Sequence, residues 1–153
     1  MKYLRFSKTT TLCTAVLLLV SQLAYAAKPI YSGGRERAAI RGYDPVAYFV
    51  ENRPIKGSEE FAFEHKGATW YFSSAENRAL FLADPEKYEP QYGGYCAYAI
   101  ARDTTASSKP EYFTIHDGKL YLNYSKSVNK RWLKDMEGYI QDADQNWPQV
   151  LGD

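Results

Sequence analysis

Asp117-Gly118 separates two runs of alternating polarity, residues 112–116 and 119–124. A two-residue type I′ turn needs a positive φ at both central positions, and an Asp-Gly pair meets that need at low cost. The pair therefore predicts a β-hairpin. Its register places Phe113, Ile115, Leu120 and Leu122 on one face and turns His116 and Tyr121 to the other. A second hairpin is predicted over residues 60–72. There Phe61, Phe63 and His65 share a face by period two, and Gly67 supplies the turn.

Each hairpin runs into a helix signal. Ser73 is placed to cap a helix, with Glu76 three residues on completing a capping box, and Ala75, Ala79 and Leu82 follow at helical spacing until Asp84-Pro85 ends the run. After the other hairpin, Ser125 or Ser127 is expected to cap one long last helix. Val128, Trp132, Met136, Tyr139 or Ile140, and Ala143 form its apolar stripe, and Trp147-Pro148 closes it. Asp44 with Pro45 predicts a short capped helix that buries Val46, Tyr48 and Phe49, and residues 97–101 predict another. The expected fold is a small single α+β domain over residues 40–150, two β-hairpins packed against three to four helices. A flexible leader is expected at 27–39. The two hairpin-then-helix units share no convincing sequence similarity, so no duplication is read from them.

The 153 residues carry a formal charge of +1, and the near balance leaves no electrostatic footprint for nucleic acid. Aromatic residues make up 16%, enough to build a core in a small domain. Residues 1–26 read as a secretory signal peptide. Lys2, Arg5 and Lys8 precede an apolar stretch over 12–20, and Ala24-Tyr25-Ala26 forms a small-x-small cleavage site. The apolar stretch is well short of the roughly 20 residues that span a bilayer. The expected product is periplasmic or secreted, with no stable membrane insertion after cleavage. Cleavage also removes Cys13 and leaves Cys96 as the one thiol, so an intramolecular disulfide is excluded. A lone thiol in an oxidising compartment has to be buried, metal-bound or reactive.

Residues 65–74 (His-Lys-Gly-Ala-Thr-Trp-Tyr-Phe-Ser-Ser), followed by residues 81–88 (Phe-Leu-Ala-Asp-Pro-Glu-Lys-Tyr), resemble the YHS domain. The opening residues 42–49 and the later residues 90–98, which include Cys96, are similar to an exported bacterial branch of that family. The resemblance runs from about Ile40 to Trp147. It implies association with copper and heavy-metal handling and with some oxygenases. In metal-handling relatives one cysteine follows an Asp-Pro-Val and two more flank the start of the helix after the hairpin. The matching positions here are Ala47, Ser73 and Asn77, none of them a soft ligand. Some members of the exported branch resemble selenoproteins, with selenocysteine where this chain has Cys96. That implies redox or soft-metal chemistry at that position.

The residues themselves leave three readings open. Cys96 follows Gly93-Gly94 at the start of a short helix, where free N–H groups favour a thiolate. With His65 and His116, the only histidines, it would make a site for copper or another soft metal ion if the two hairpins converge on it. Gly93, Gly94, Tyr92, Tyr95 and Tyr43 would line the pocket. Alternatively, Cys96 acts alone in thiol redox chemistry. The third reading is a non-catalytic interaction domain with an envelope protein as partner and an inert Cys96 packed among Tyr92, Tyr95 and Tyr98. No protease or oxidoreductase motif is present, so an enzyme is the less favoured class.

Overall fold

A computed structural model describes residues 27–33 and 37–152. The signal peptide expected at 1–26 lies outside the described residues. The two hairpins form as the turn chemistry dictates. Strand β1 (Ser58–His65) pairs antiparallel with β2 (Ala68–Phe72), and β3 (Lys109–His116) with β4 (Lys119–Asn123). Asp117 and Gly118 take φ 49° and 72°. Lys66 and Gly67 take 50° and 72°, so the first hairpin has the same I′ turn, with a lysine in the left-handed region. Each ladder breaks register once, between Ser58 and Phe63 and between Lys109 and Phe113.

The helices are α1 (Ala47–Val50), α2 (Ala75–Ala83), α3 (Pro85–Tyr88), α4 (Ala97–Ile100), α5 (Lys126–Trp132) and α6 (Met136–Val150). Two 3₁₀ turns, Ala39–Gly42 and Gln91–Gly94, precede α1 and α4. The α+β class holds, with more and shorter helices than the stripes suggested. The cap of α2 is Ser74, whose hydroxyl accepts from Asn77 N, and not Ser73. Ser73 is engaged by Asp44. The single long last helix is corrected to two. Ser125 caps α5, and the chain breaks at Asp135, in a non-helical φ/ψ of −149°/56°, before α6 begins. Helix α6 runs on to Val150, past the Trp147-Pro148 expected to close it.

Two hydrophobic cores sit on either side of β4. One gathers Ile30, Ile40, Val46, Tyr48, Trp70, Phe72, Phe81, Tyr88, Leu120 and Leu122. The other gathers Tyr92, Ile100, Tyr121, Trp132 and Ala143. Alternation along β4 sends Leu120 and Leu122 into the first and Tyr121 into the second, so this strand is buried on both faces. The predicted register is right, while the face expected to be polar is covered by α5 and α6 residues.

The leader is corrected too. Ile30 is buried in the first core, Ala38 and Ala39 are fully buried, and Tyr31 N donates to Gly93 O at 2.8 Å. Ala27 N donates to Val150 O at 3.1 Å. This strap explains Gly93, because a Cβ there would lie 1.9 Å from Pro29 O.

Candidate functional site

Cys96 is the N-cap residue of α4 and forms a parallel bridge with Leu122 of β4. It is free and 1% exposed. Its thiol donates to Asn123 Oδ1 at 3.5 Å, and the backbone N–H dipoles of Ala99, Tyr124 and Tyr98 lie near enough to favour negative charge on the sulfur. Asn123 is itself fully buried; it accepts from Tyr98 N at 3.2 Å and donates to Asn129 Oδ1 at 3.1 Å. Two effects therefore compete at the sulfur. Burial penalises the thiolate and the three N–H dipoles favour it. Burial wins and pushes the thiol above its ordinary value. The expected depressed thiolate is corrected on that ground. Helix α4 has only four residues, too few to supply a useful dipole.

The expected ligands do not converge. His65 ends β1, and its Nε2 lies 2.7 Å from Glu89 Oε1, while Lys66 Nζ holds Glu89 Oε2 at 2.8 Å. Its ring packs against Phe81 and Trp70. His116 ends β3, at the tip of the other hairpin, with Nε2 3.5 Å from Asp117. It borders a hollow of ≈ 230 Å³ shared with Tyr121, Glu137 and Ile140. Among the described residues no three of His, Cys, Asp and Glu are grouped so as to hold a metal ion. The reason is topological. Each histidine sits at a different hairpin tip, whereas Cys96 bridges to Leu122, near the far end of β4.

The expected pocket residues also divide. Tyr92, Gly93 and Gly94 lie in the second 3₁₀ turn. Tyr92 and Gly93 border a hollow of ≈ 390 Å³ with Lys66, Glu89 and Trp147. Tyr95 borders a separate hollow of ≈ 680 Å³ with Ala27, Asp103 and Gln149. Gly94 is packed against Ile40 and Pro90, and Tyr43 pairs with Lys56 in a bridge next to the first turn. Cys96 borders none of these three hollows.

The most connected buried polar group is one the sequence reading passed over as a simple cap. Asp44 is fully buried. Its Oδ1 accepts from Val46 N and Ala47 N, at 2.8 and 3.3 Å. Its Oδ2 accepts from Ser73 N, Ser73 Oγ and Asn77 Nδ2, at 2.8, 2.6 and 2.7 Å. Asp44-Pro45 marked the cap, but nothing in the local pattern announced the reach to Ser73 and Asn77.

The YHS domain family model matches residues 46–92. The match spans α1, the first hairpin, α2, α3 and the start of the second 3₁₀ turn. Comparisons with curated proteins and with solved structures returned no match. The three positions that the sequence resemblance matched to metal-handling cysteines, Ala47, Ser73 and Asn77, lie within the matched residues. Here all three surround the Asp44 carboxylate and donate to it. A carboxylate whose lone pairs are already taken by five N–H and O–H donors is arranged as an anion in a cradle. It does not suit a cation.

Proposed function

We propose that this protein is an exported YHS-domain module of the cell envelope that takes up a soft metal ion, copper first among them, as transient cargo on the sulfur of Cys96. It does not carry the ion in a standing multi-ligand site. The observation that supports this reading is the setting of Cys96. Burial favours the protonated thiol, while the backbone N–H dipoles of Ala99, Tyr124 and Tyr98 pull the other way, toward negative charge on the sulfur. Binding then exchanges the thiol proton for the metal ion and requires the segment around α4 to open, because the sulfur is 1% exposed. The same protonation weakens the thiol-redox reading, since the thiolate is the nucleophile.

The test is a Cu(I) titration of the protein lacking residues 1–26, in competition with a colorimetric chelator. One equivalent should bind more tightly than micromolar, and Cys96→Ser should abolish binding. Affinity should fall by about tenfold for each pH unit of acidification, as expected when one proton is displaced. Binding that survives Cys96→Ser, or no binding tighter than micromolar, overturns the proposal.

A second reading has its own observation. Cys96 is buried and its thiol donates to the buried Asn123, as a structural residue would. On that reading the protein is a non-catalytic interaction domain, and Cys96 reacts with an alkylating reagent only on global unfolding.

A further inference from the structure

We infer that residues 91–139 are a second, diverged copy of the unit at residues 39–88, and that Cys96 is the second copy's counterpart of Asp44. The chain then holds two YHS-type units, the second of which lies almost wholly outside the stretch the family model matches.

The hairpins give the first evidence. Both have strands of eight and five residues joined by a two-residue turn, and both break register at the same stage. His65 and His116 end the first strand of each, and Gly67 and Gly118 close each turn. At the same constant spacing Ser74 answers to Ser125, Asp84 to Asp135, Glu86 to Glu137 and Tyr88 to Tyr139. Ser74 and Ser125 cap their helices at φ/ψ of −153°/165° and −153°/166°. Asp84 and Asp135 both break the chain before the next helix, at −152°/79° and −149°/56°. Phe81 and Trp132, at matching positions, are each fully buried.

Hairpins with I′ turns are common, so the stronger evidence lies upstream. Ile40, Arg41 and Gly42 have φ of 42°, 61° and 74°; Tyr92, Gly93 and Gly94 have 55°, 59° and 83°. Three consecutive left-handed residues, with non-glycine side chains among them, cost energy that a chain does not incur twice in the same place by accident. Tyr43 N then donates to Ile40 O, and Tyr95 N to Tyr92 O. Asp44 N donates to Ile55 O at 2.8 Å, and Cys96 N to Ala106 O at 3.0 Å. The caps correspond position by position. Asp44 accepts from Val46 N, Ala47 N and Ser73 N, and the N–H groups at the matching positions, those of Tyr98, Ala99 and Tyr124, are the ones that favour negative charge on the Cys96 sulfur. The spacing changes by a single residue in the loop after the cap, and everything downstream stays in phase. This equivalence holds whether or not Cys96 takes up metal.

What the second copy lacks is the fourth and fifth donors of the first, the Ser73 hydroxyl and the Asn77 amide. Their counterparts are Tyr124 and Val128. That difference provides the test, read as the midpoint of thermal unfolding. Cys96→Asp alone should lower the midpoint, because the carboxylate enters a cradle short of donors. Adding Val128→Asn should recover at least half of that drop, although Val128→Asn alone lowers the midpoint. In the first copy Asp44→Cys should lower the midpoint more than the Asp44→Cys/Asn77→Val pair does. Recovery in either cycle, or folding of Cys96→Asp/Val128→Asn where Cys96→Asp does not fold, supports the equivalence. Strict additivity in both cycles overturns it.

Discussion

The two units close the same joint with different atoms. In the first, a buried carboxylate gathers five donors from α1, Ser73 and Asn77. In the second, a thiol donates to the buried Asn123, three nearby N–H dipoles face the sulfur, and Asn123 in turn donates to the half-buried Asn129. Hydrogen bonds to an ionised acceptor are about twice as strong as neutral ones, and sulfur is a weak acceptor. The first joint is therefore held by polar contacts. The second relies on the aromatic core around Tyr121 and Trp132. A fold can keep its geometry while exchanging an anion for a neutral group, provided that packing offsets the loss.

The largest effect expected from this contrast is at Asp44. Asp44→Ala strands five donors in a buried place, each orphan costing about 1–3 kcal/mol before relaxation. The expected loss is about 4 kcal/mol in urea unfolding, most of the stability of a domain at the low end of the usual range of about 5–15 kcal/mol. Asp44→Asn keeps one acceptor oxygen and should fall between wild type and alanine. A loss below about 1 kcal/mol for Asp44→Ala would break the comparison at its strong end.

The next effect belongs to Cys96 and is read in pH. Its folded thiol titrates above the ordinary value because it is buried. Above about pH 8.5 the unfolded chain releases this proton while the native protein keeps it. The native state then binds more protons than the unfolded one, so stability falls as pH rises, by up to about 1.4 kcal/mol per unit. Below that range the group contributes no slope. Cys96→Ala should flatten the decline between pH 8 and 10, at a cost of about 1–2 kcal/mol near neutrality. Buried tyrosines act with the same sign only at higher pH; burial pushes Tyr121 up to about 12 and raises Tyr48 and Tyr92 further. If the slope persists unchanged in Cys96→Ala, the thiol is not the group that burial holds protonated.

Legibility in the sequence followed the range of the interactions involved. Turns are local, so Asp117-Gly118 and Gly67 could be read directly, and the register of the second hairpin followed from alternation, while the caps were legible only to within a residue or two, Ser125 or Ser127 for one and Ser73 in place of Ser74 for the other. The docking of Ile30 and Tyr31 was not legible, because it depends on a glycine far along the chain. The same holds for the site. Cys96 was recognisable as the singular thiol, but its burial comes from Asn123 and Leu122 across a bridge that no local pattern encodes. The duplication was hidden for a related reason. The matched positions are mostly backbone roles, left-handed turns and N–H donors, which many side chains can fill. His65 and His116 shared a position in the fold, and their side chains alone pointed toward a shared ligand.

The smallest expected effect compares the two buried tryptophans. Trp70 donates its Nε1 to His65 O at 3.1 Å, whereas Trp132 Nε1 is buried with no hydrogen-bond partner among the described residues. Both indoles pack face-tilted on an aromatic neighbour, Trp70 on Phe81 at 5.1 Å and Trp132 on Tyr121 at 5.3 Å. Replacing either by phenylalanine removes similar volume, so the cavity terms roughly cancel in the comparison. The polar terms do not. Trp70→Phe leaves a carbonyl without its donor, while Trp132→Phe removes an orphan donor already desolvated at a cost of about 1–3 kcal/mol. Trp70→Phe should therefore cost about 2 kcal/mol, and Trp132→Phe less than about 1 kcal/mol or nothing measurable. The first unit supports this, because the counterpart of Trp132 there is Phe81, which fills its position with no polar atom at all. Urea unfolding of the two variants side by side decides it, and equal losses would mean that the indole N–H of Trp132 has found a partner in solution.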